Sequence, residues 1–364
     1  MKLIVEPDHG VEPLLRAIKS ARRSVDIVVF RMDRGEIESA LKAAVDRGVK
    51  VHALIADRNR GGEKNLRGLE MRFLEAGITV ARSGDNLVRY HDKLIIIDRR
   101  RLYTLSFNFT HLDIDHSRGF GVVTTNARLV QEAVKLFEAD CTRQSYTPGL
   151  DSFTVSPANA RKVLGGFLKR ANKQLLIYDP KISDKEMIAI LQERAKAGVE
   201  VRIIGRVAKG NGLPVGQLTR MRLHARAIIR DRHQAFVGSQ SLRAAELDSR
   251  REVGLIFRDR KLLKSLIDTF ELDWASTNAA KDQVTAKKVE SEAPKEEAAK
   301  NTGEALIQEL QPLKVKVKKA VKEVVARAGE DAFQDARVKD TVKEVVKQGM
   351  KETVKEVLNE VQPT

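Results

Sequence analysis

The sequence predicts an α/β protein made of two repeated α/β lobes that share one site at their interface, followed by an amphipathic helical tail. Three observations predict it. A pattern of His, cation, Asp and a small polar cluster occurs twice. The stretches leading to it repeat at a constant offset of 150 residues. Strand-like and helix-like segments alternate through both copies, which is the mark of α/β architecture.

The elements follow in order. Ala21 to Val28 reads as a strand and parallels Ala171 to Tyr178. Glu36 to Ala56 then parallels Glu186 to Arg206. Ile37, Leu41, Ala44 and Val45 recur at helical spacing, as do Met187, Ile190, Leu191 and Ala195. Gly48 and Gly198 stand where each helix has to stop before the next strand. Both copies therefore read helix, strand, helix, glycine cap, strand. The first copy adds Leu69 to Val80, a helix and a short strand, and the offset between the copies falls to 133 at the histidines. Each copy ends on a strand and a helix, Phe120 to Thr124 with Leu129 to Phe137, and Val253 to Phe257 with Leu262 to Trp274. Thr147-Pro148-Gly149 is a turn signal, which sets lobes of 1–148 and 149–276.

The repeated motif reads His91-Asp92-Lys93, then Asp98, in the first copy and His224-Ala225-Arg226, then Asp231, in the second. Six residues later come Leu105-Ser106-Phe107-Asn108 and Gly238-Ser239-Gln240-Ser241. On a strand, His91 and Lys93 point to one face, as do His224 and Arg226. Leu94 to Ile97 and Ala227 to Ile229 are short apolar runs of the kind buried on both faces of a sheet. Two ordinary strands that each carry a His would explain one motif. They do not explain two copies with matched downstream hydroxyls. Two imidazoles and two fixed cations suit attack on a phosphate diester. One imidazole attacks phosphorus, the other protonates the leaving oxygen, and the cations hold the charged oxygens.

The motif resembles that of the phospholipase D superfamily: His-x-Lys, four residues, Asp, then six residues and Gly-Ser-x-Asn. The resemblance covers Val11 to Trp274 and is nearest to bacterial proteins of the cardiolipin synthase and phosphatidylserine synthase type. It implies a covalent phosphohistidine, with no metal and no cofactor. His91 or His224 is then the nucleophile and the other the general acid; our lead assignment gives attack to His91 and protonation to His224. The resemblance also implies that Lys93 and Arg226 bind phosphate, supported by Ser106, Asn108 and Ser239, and that Glu252 fills the place of a downstream acid that orients a His. Asp98 and Asp231 belong to the motif in a structural part. The chain departs from the pattern at Arg226, Leu105 and Ser241, and at Gly119, which stands where the second copy has Glu252. A binding-only site with impaired chemistry is an alternative, as is a nuclease using the same residues.

Composition bounds the partners. The formal net charge is +16. Residues 276–364 hold 17 Lys and Arg against 16 Asp and Glu, so the excess sits in the two lobes. Such a surface attracts polyanions, whether an anionic membrane surface or nucleic acid. Sparse aromatics weaken stacking on single strands. Arg220 and Arg222, beside the second motif, are candidate substrate contacts. The single cysteine, Cys141, excludes an intramolecular disulfide and reads as a packing residue. Neither a signal peptide nor a membrane span is legible, so a cytoplasmic protein, soluble or peripheral at a membrane, is expected. His111 and His116 lie near Asp113 and Asp115, but their spacing is not that of a metal site.

Residues 277–303 are polar and charged and read as a flexible linker. Residues 304–364 read as an amphipathic helical tail, in which Val-Lys-Glu-Val recurs and valines at 342, 345, 346, 354, 357 and 361 form a stripe. Self-association, docking on the lobes and lying on a membrane all fit such a stripe.

Overall fold

A computed structural model describes residues 1–57, 63–208 and 212–277, with the side chains of 63–65 excepted. The first lobe runs β1 (Lys2–Glu6), α1 (Glu12–Lys19), β2 (Ser24–Val29), α2 (Gly35–Asp46), β3 (Lys50–Ile55), α3 (Glu63–Glu75), β4 (Thr79–Arg82), β5 (Arg89–Tyr90), β6 (Leu94–Ile97), β7 (Arg101–Leu105), α4 (His111–Asp115), β8 (Ser117–Thr124) and α5 (Ala127–Thr142). The second runs β9 (Phe153–Ser156), α6 (Ala160–Lys169), β10 (Gln174–Ile182), α7 (Lys185–Lys196), β11 (Glu200–Val207), β12 (Val215–Gly216), β13 (Arg222–Leu223), β14 (Ala227–Arg230), β15 (Gln234–Gly238), α8 (Ala244–Asp248), β16 (Arg250–Phe257) and α9 (Arg260–Ala275).

The expected glycine caps are present. Gly48 has φ +81° and Gly198 φ +85°. Each lets the next N–H turn back onto the last helical turn, Val49 to the Ala44 carbonyl at 3.0 Å and Val199 to Arg194 at 3.0 Å. The strands β1 and β9 carry no signal in the sequence, because five and four residues are too short to show a period.

Each lobe has one mixed sheet of the same topology. The first is ordered β1-β8-β7-β6-β2-β3-β4, and the second places β9, β16, β15, β14, β10, β11 and β12 in the equivalent order. Strands β2, β3 and β4 run parallel, while β6, β7, β8 and β1 are antiparallel neighbours. Strand β6 is buried on both faces. Leu94 and Ile96 join a central core, and Ile95 and Ile97 an outer one. The central core takes side chains from both lobes, including Val28, Phe120, Tyr178 and Leu255, together with α5 and α9. Each lobe has its own outer core on the far face of its sheet.

The lobes also exchange backbone. Strand β5 pairs in parallel with β16 of the second lobe, Arg250 opposite Arg89 and Arg251 opposite Tyr90. Strand β13 pairs with β8 of the first, Arg222 opposite Ser117 and Leu223 opposite Arg118. These two short strands are the residues that lead directly into the two histidines. Two buried ion pairs repeat the exchange: Arg118 grips Asp273 of α9 at 2.8 and 3.0 Å, and Arg251 binds Asp140 of α5 at 2.9 Å.

All of these residues fall in one unit, Met1–Thr285. The boundary expected at 276 falls one residue short of the described body. Thr277 is fully buried and its hydroxyl donates to the Trp274 carbonyl at 2.7 Å. From 278 onward, the linker and the helical tail lie outside the described residues. No helix among the described residues is long and apolar enough to cross a membrane. Cys141 packs partly buried against the central core, and burial, with Asp140 beside it, pushes its thiol up to about 12.

Candidate active site

Strand exchange places both histidines in one cleft. The His91 N–H donates to the Arg251 carbonyl at 2.8 Å, and the His224 N–H to Arg118 at 3.0 Å, so each motif is anchored on the opposite lobe. The cleft has a volume of about 720 Å³ and is lined by both imidazoles, Asn108, Arg226, six further arginines and three carboxylates.

Each imidazole faces a carboxylate from the other lobe, but the two pairs differ. His91 Nδ1 lies 2.9 and 3.0 Å from the two oxygens of Glu252, which is fully buried on β16. This fixes the ring and leaves Nε2 for the cleft. His224 Nδ1 lies 3.4 Å from Asp113 of α4, and no hydrogen-bond partner satisfies it. Asp113 is occupied elsewhere. It accepts from the Asn108 backbone at 2.8 Å and side chain at 2.6 Å, and from Arg222 at 2.5 Å.

The electrostatics follow from burial in a cationic setting. Burial, then the charges of Lys93 and Arg226, hold His91 well below the ordinary imidazole value. Burial and Arg226 do the same to His224. Both shifts favour the neutral imidazole. Burial pulls Lys93 down to about 7, although Glu252 opposes this. Burial raises Glu252, with Lys93 and Arg226 opposing. Burial alone would raise Asp113, but His224, the Asn108 N–H and Arg222 outweigh it and hold the carboxyl at about 2.

Of the residues expected from sequence, His91, His224, Lys93, Arg226, Asn108 and Glu252 gather at this place. The Lys93 ammonium donates to the His91 carbonyl. Arg226 donates to the His224 carbonyl at 2.8 Å and to the Ser241 hydroxyl at 3.2 Å, so two departures from the family pattern touch each other. Ser106 and Ser239 are placed differently from the expectation of phosphate contact. Both are fully buried, and their hydroxyls accept from the Phe120 and Val253 N–H groups at 2.9 and 3.1 Å. They hold β8 and β16 in place behind the cleft. Glu252 contacts a histidine rather than open cleft.

Asp98 and Asp231 stand away from the cleft at hairpin turns with positive φ. The Asp98 carboxylate accepts from three successive N–H groups, Arg22, Arg23 and Ser24, at 2.7 to 3.2 Å. Asp231 binds Asn172, Lys173 and Gln174 in the same way at 2.7 to 3.1 Å. Each clamps its motif hairpin to the start of the neighbouring antiparallel strand, β2 or β10. Arg222 does line the cleft, with its guanidinium on Asp113, whereas Arg220 is not among the lining residues.

Sequence reasoning missed Asp113 and Glu246. The offset of 133 pairs them, each five residues beyond Asn108 and Ser241, and each accepts that residue's N–H at 2.8 Å. The structure also explains Gly119. A Cβ there would lie 2.9 Å from the Phe107 ring, so no acid fits. The fully buried Glu6 stands opposite Gly119 on β1, while in the second lobe Ser156 stands opposite Glu252.

Known proteins resemble this chain in sequence and in fold. The family described as "Cardiolipin synthase, PLD-like domain" matches residues 14–141. The mitochondrial cardiolipin hydrolase of Danio rerio is 29% identical over 140 residues, which covers 36% of this chain and 60% of that protein. The chain thus spans less than two thirds of this curated relative. The crystal structure of polyphosphate kinase from Porphyromonas gingivalis superposes with a TM-score of 0.64 at 20% identity, over 75% of this chain and 50% of that one. Phosphatidylserine synthase of Haemophilus influenzae Rd KW20 superposes with a TM-score of 0.57 at 11% identity, over 75% of this chain and 85% of that one. At these identities the two structures bear on the fold alone. The doubled motif, the paired α/β lobes and the family match over residues 14–141 together support the phospholipase D superfamily as the one this chain resembles.

Proposed function

We propose that this protein cleaves or transfers a phosphodiester bond of an anionic phospholipid through a covalent phosphohistidine at His91. The observation that carries the reading is the pair of buried imidazoles, each facing a carboxylate from the opposite lobe across one arginine-lined cleft. Glu252 holds the Nδ1 proton of His91, and the Nε2 lone pair forms the bond to phosphorus. The leaving alkoxide breaks away and takes a proton from Nε2 of His224. Water or an alcohol then returns a proton to His224 as its oxygen attacks phosphorus and releases His91. Lys93 and Arg226 balance the charge that builds on the phosphate oxygens. An entering diester brings the negative charge that offsets these cations, which favours the protonated His224 the first step needs.

Two features support a lipid. The cleft carries some apolar residues beside its arginines, among them Met32, Leu218 and Leu112, the last 52% exposed. Among the described lining residues Phe30 is the one aromatic, which gives little for nucleobases to stack on. The matched relatives named for cardiolipin point the same way. The test is to incubate the full chain with labelled phospholipids, oligonucleotides and polyphosphate, quench, and map the label. We expect label on His91 from anionic phospholipid, lost in His91→Ala. Label from nucleic acid alone would make the protein a nuclease. Absence of label and turnover with every substrate would favour a binding protein.

A further inference from the structure

We propose that Asp92 is a positioning residue for His91: it shares one proton and the Arg251 guanidinium with Asp140, and the charge of this buried trio sets how firmly β16 holds the ring. The proposal rests on the reading that His91 is the ring that reacts. Both grips on His91 come from two successive residues of β16. The Arg251 carbonyl accepts the His91 N–H at 2.8 Å, and Glu252 faces its Nδ1 at 2.9 and 3.0 Å. Successive side chains of a strand point to opposite faces, so Arg251 turns away as Glu252 turns to the ring. On that far side its guanidinium donates to Asp140 of α5 at 2.9 Å and to the Ser156 carbonyl at 3.1 Å. It also stands 5.5 Å from the centre of the Tyr90 ring. Asp92, next to His91 in the chain, is 1% exposed. Its Oδ1, the Asp140 Oδ2 and the Arg251 Nε are all buried without a hydrogen-bond partner.

The other half of the molecule shows what Asp92 adds. At the offset of 133, Arg118, Asp273 and Ala225 correspond to Arg251, Asp140 and Asp92. There both Asp273 oxygens accept from Arg118, at 2.8 and 3.0 Å, and the Tyr178 hydroxyl adds a bond at 2.7 Å. Ala225 brings no charge, and the further acid on Arg118, Asp8, is exposed. One buried carboxylate thus meets one buried guanidinium. Around Arg251 two buried carboxyls meet one guanidinium, and like charges gathered in one buried place resist ionising together. Burial, with Asp140 beside it, raises Asp92 to about 7, and burial raises Asp140 to about 6 against the pull of Arg251. The charged and titrating groups that face Asp92 are Tyr90, Lys93, Asp140 of α5, and Arg251 and Glu252 of β16. With one proton retained, the trio is neutral. When that proton leaves, a second negative charge competes with Asp140 for Arg251 and repels the Glu252 carboxylate. Both grips on His91 then loosen.

The experiment follows the ring nitrogens of His91 by nitrogen NMR on the full chain, without substrate. In the native protein their signals should shift as pH rises through about 7, where Asp92 loses its proton. They should stay flat in Asp92→Asn and in Asp92→Ala, which installs the residue of the second copy, with both variants folded. Lys93→Arg should keep the shift, because a guanidinium does not titrate there. At saturating diester, phosphoenzyme formation should fall about tenfold from one pH unit below that point to one unit above it, the effect of one lost proton. Asp92→Asn should flatten this fall. An unshifted His91 in the native protein overturns the proposal. So does a shift that survives in either folded Asp92 variant, or one that vanishes in Lys93→Arg. The labelling of His91 is read separately. An Asp92-dependent shift without label would keep the positioning and reject the reaction, and label on a pH-insensitive ring would do the reverse.

Discussion

His91 and His224 occupy equivalent places in the repeat, yet only His91 is hydrogen-bonded to the carboxylate it faces. This asymmetry predicts unequal losses. Glu252→Gln should lower formation of the phosphoenzyme by about 10²–10³-fold, and Asp113→Asn should lower turnover by only about tenfold, since Asp113 spends its oxygens mainly on Asn108 and Arg222. Rapid-quench kinetics separate the two, and equal effects would contradict the assignment of His91 as nucleophile. Lys93 adds a pH dependence. Its ammonium, held near 7, is charged below that value and neutral above it, so KM for the diester should rise as pH climbs through 7. Lys93→Arg, which installs the residue of the second copy, should flatten that limb because guanidinium stays charged. Arg226 is not exchangeable in the reverse sense. Its fork reaches the His224 carbonyl and Ser241 together, so Arg226→Lys should raise KM several-fold; an unchanged KM would show that charge alone is used there.

At the scale of elements, β1 carries, opposite Gly119 of β8, a buried acid that the catalytic scheme does not use. Burial raises the Glu6 carboxyl to about 8, far above its unfolded value. The folded protein therefore holds this proton more tightly than the unfolded chain does. Its contribution is fully present below about pH 4.5 and is lost as pH rises through 8. Glu6→Gln should thus leave stability unchanged near pH 4 and raise it by roughly 1–3 kcal/mol at pH 9. Denaturant melts at both pH values check this, and equal shifts at the two would show that the carboxyl is not titrating. The short strands β5 and β13 matter in another way. Two residues each make few bonds, but they fix where the histidines emerge, because the next N–H of each chain continues the ladder onto the opposite lobe.

The two lobes behave as one body because their central core, their edge strands and two buried Arg–Asp pairs all cross the lobe boundary. A fragment of residues 1–148 alone should expose the apolar face of its sheet and lack Glu252, so it should aggregate or self-associate and show no turnover. Mixing it with 149–285 should restore activity; an active, monomeric 1–148 would refute the shared site. A cut after Thr285 should spare both fold and soluble-diester turnover, whereas a cut after Ala275 removes the buried Thr277 and should lower the melting temperature by a few degrees. Circular dichroism melts and turnover of the two truncated chains check this pair of outcomes.

The sequence by itself determined the architecture and the identity of the chemical groups. Hydrophobic period, glycine caps and the repeated His motif are local in the chain, and local patterns are written in residue order. That is why Gly48, Gly198, the strand Leu94–Ile97 and the two histidines were all legible. Tertiary structure alone decided which carboxylate meets which imidazole, because those contacts join residues 161 and 111 positions apart. It decided that Ser106 and Ser239 brace strands, since a hydroxyl two residues from a site looks alike in sequence whether it faces the cleft or the backbone. It also decided why the first copy lacks an acid at Gly119. The Phe107 ring fills the space a side chain would need, and only packing across strands reveals that.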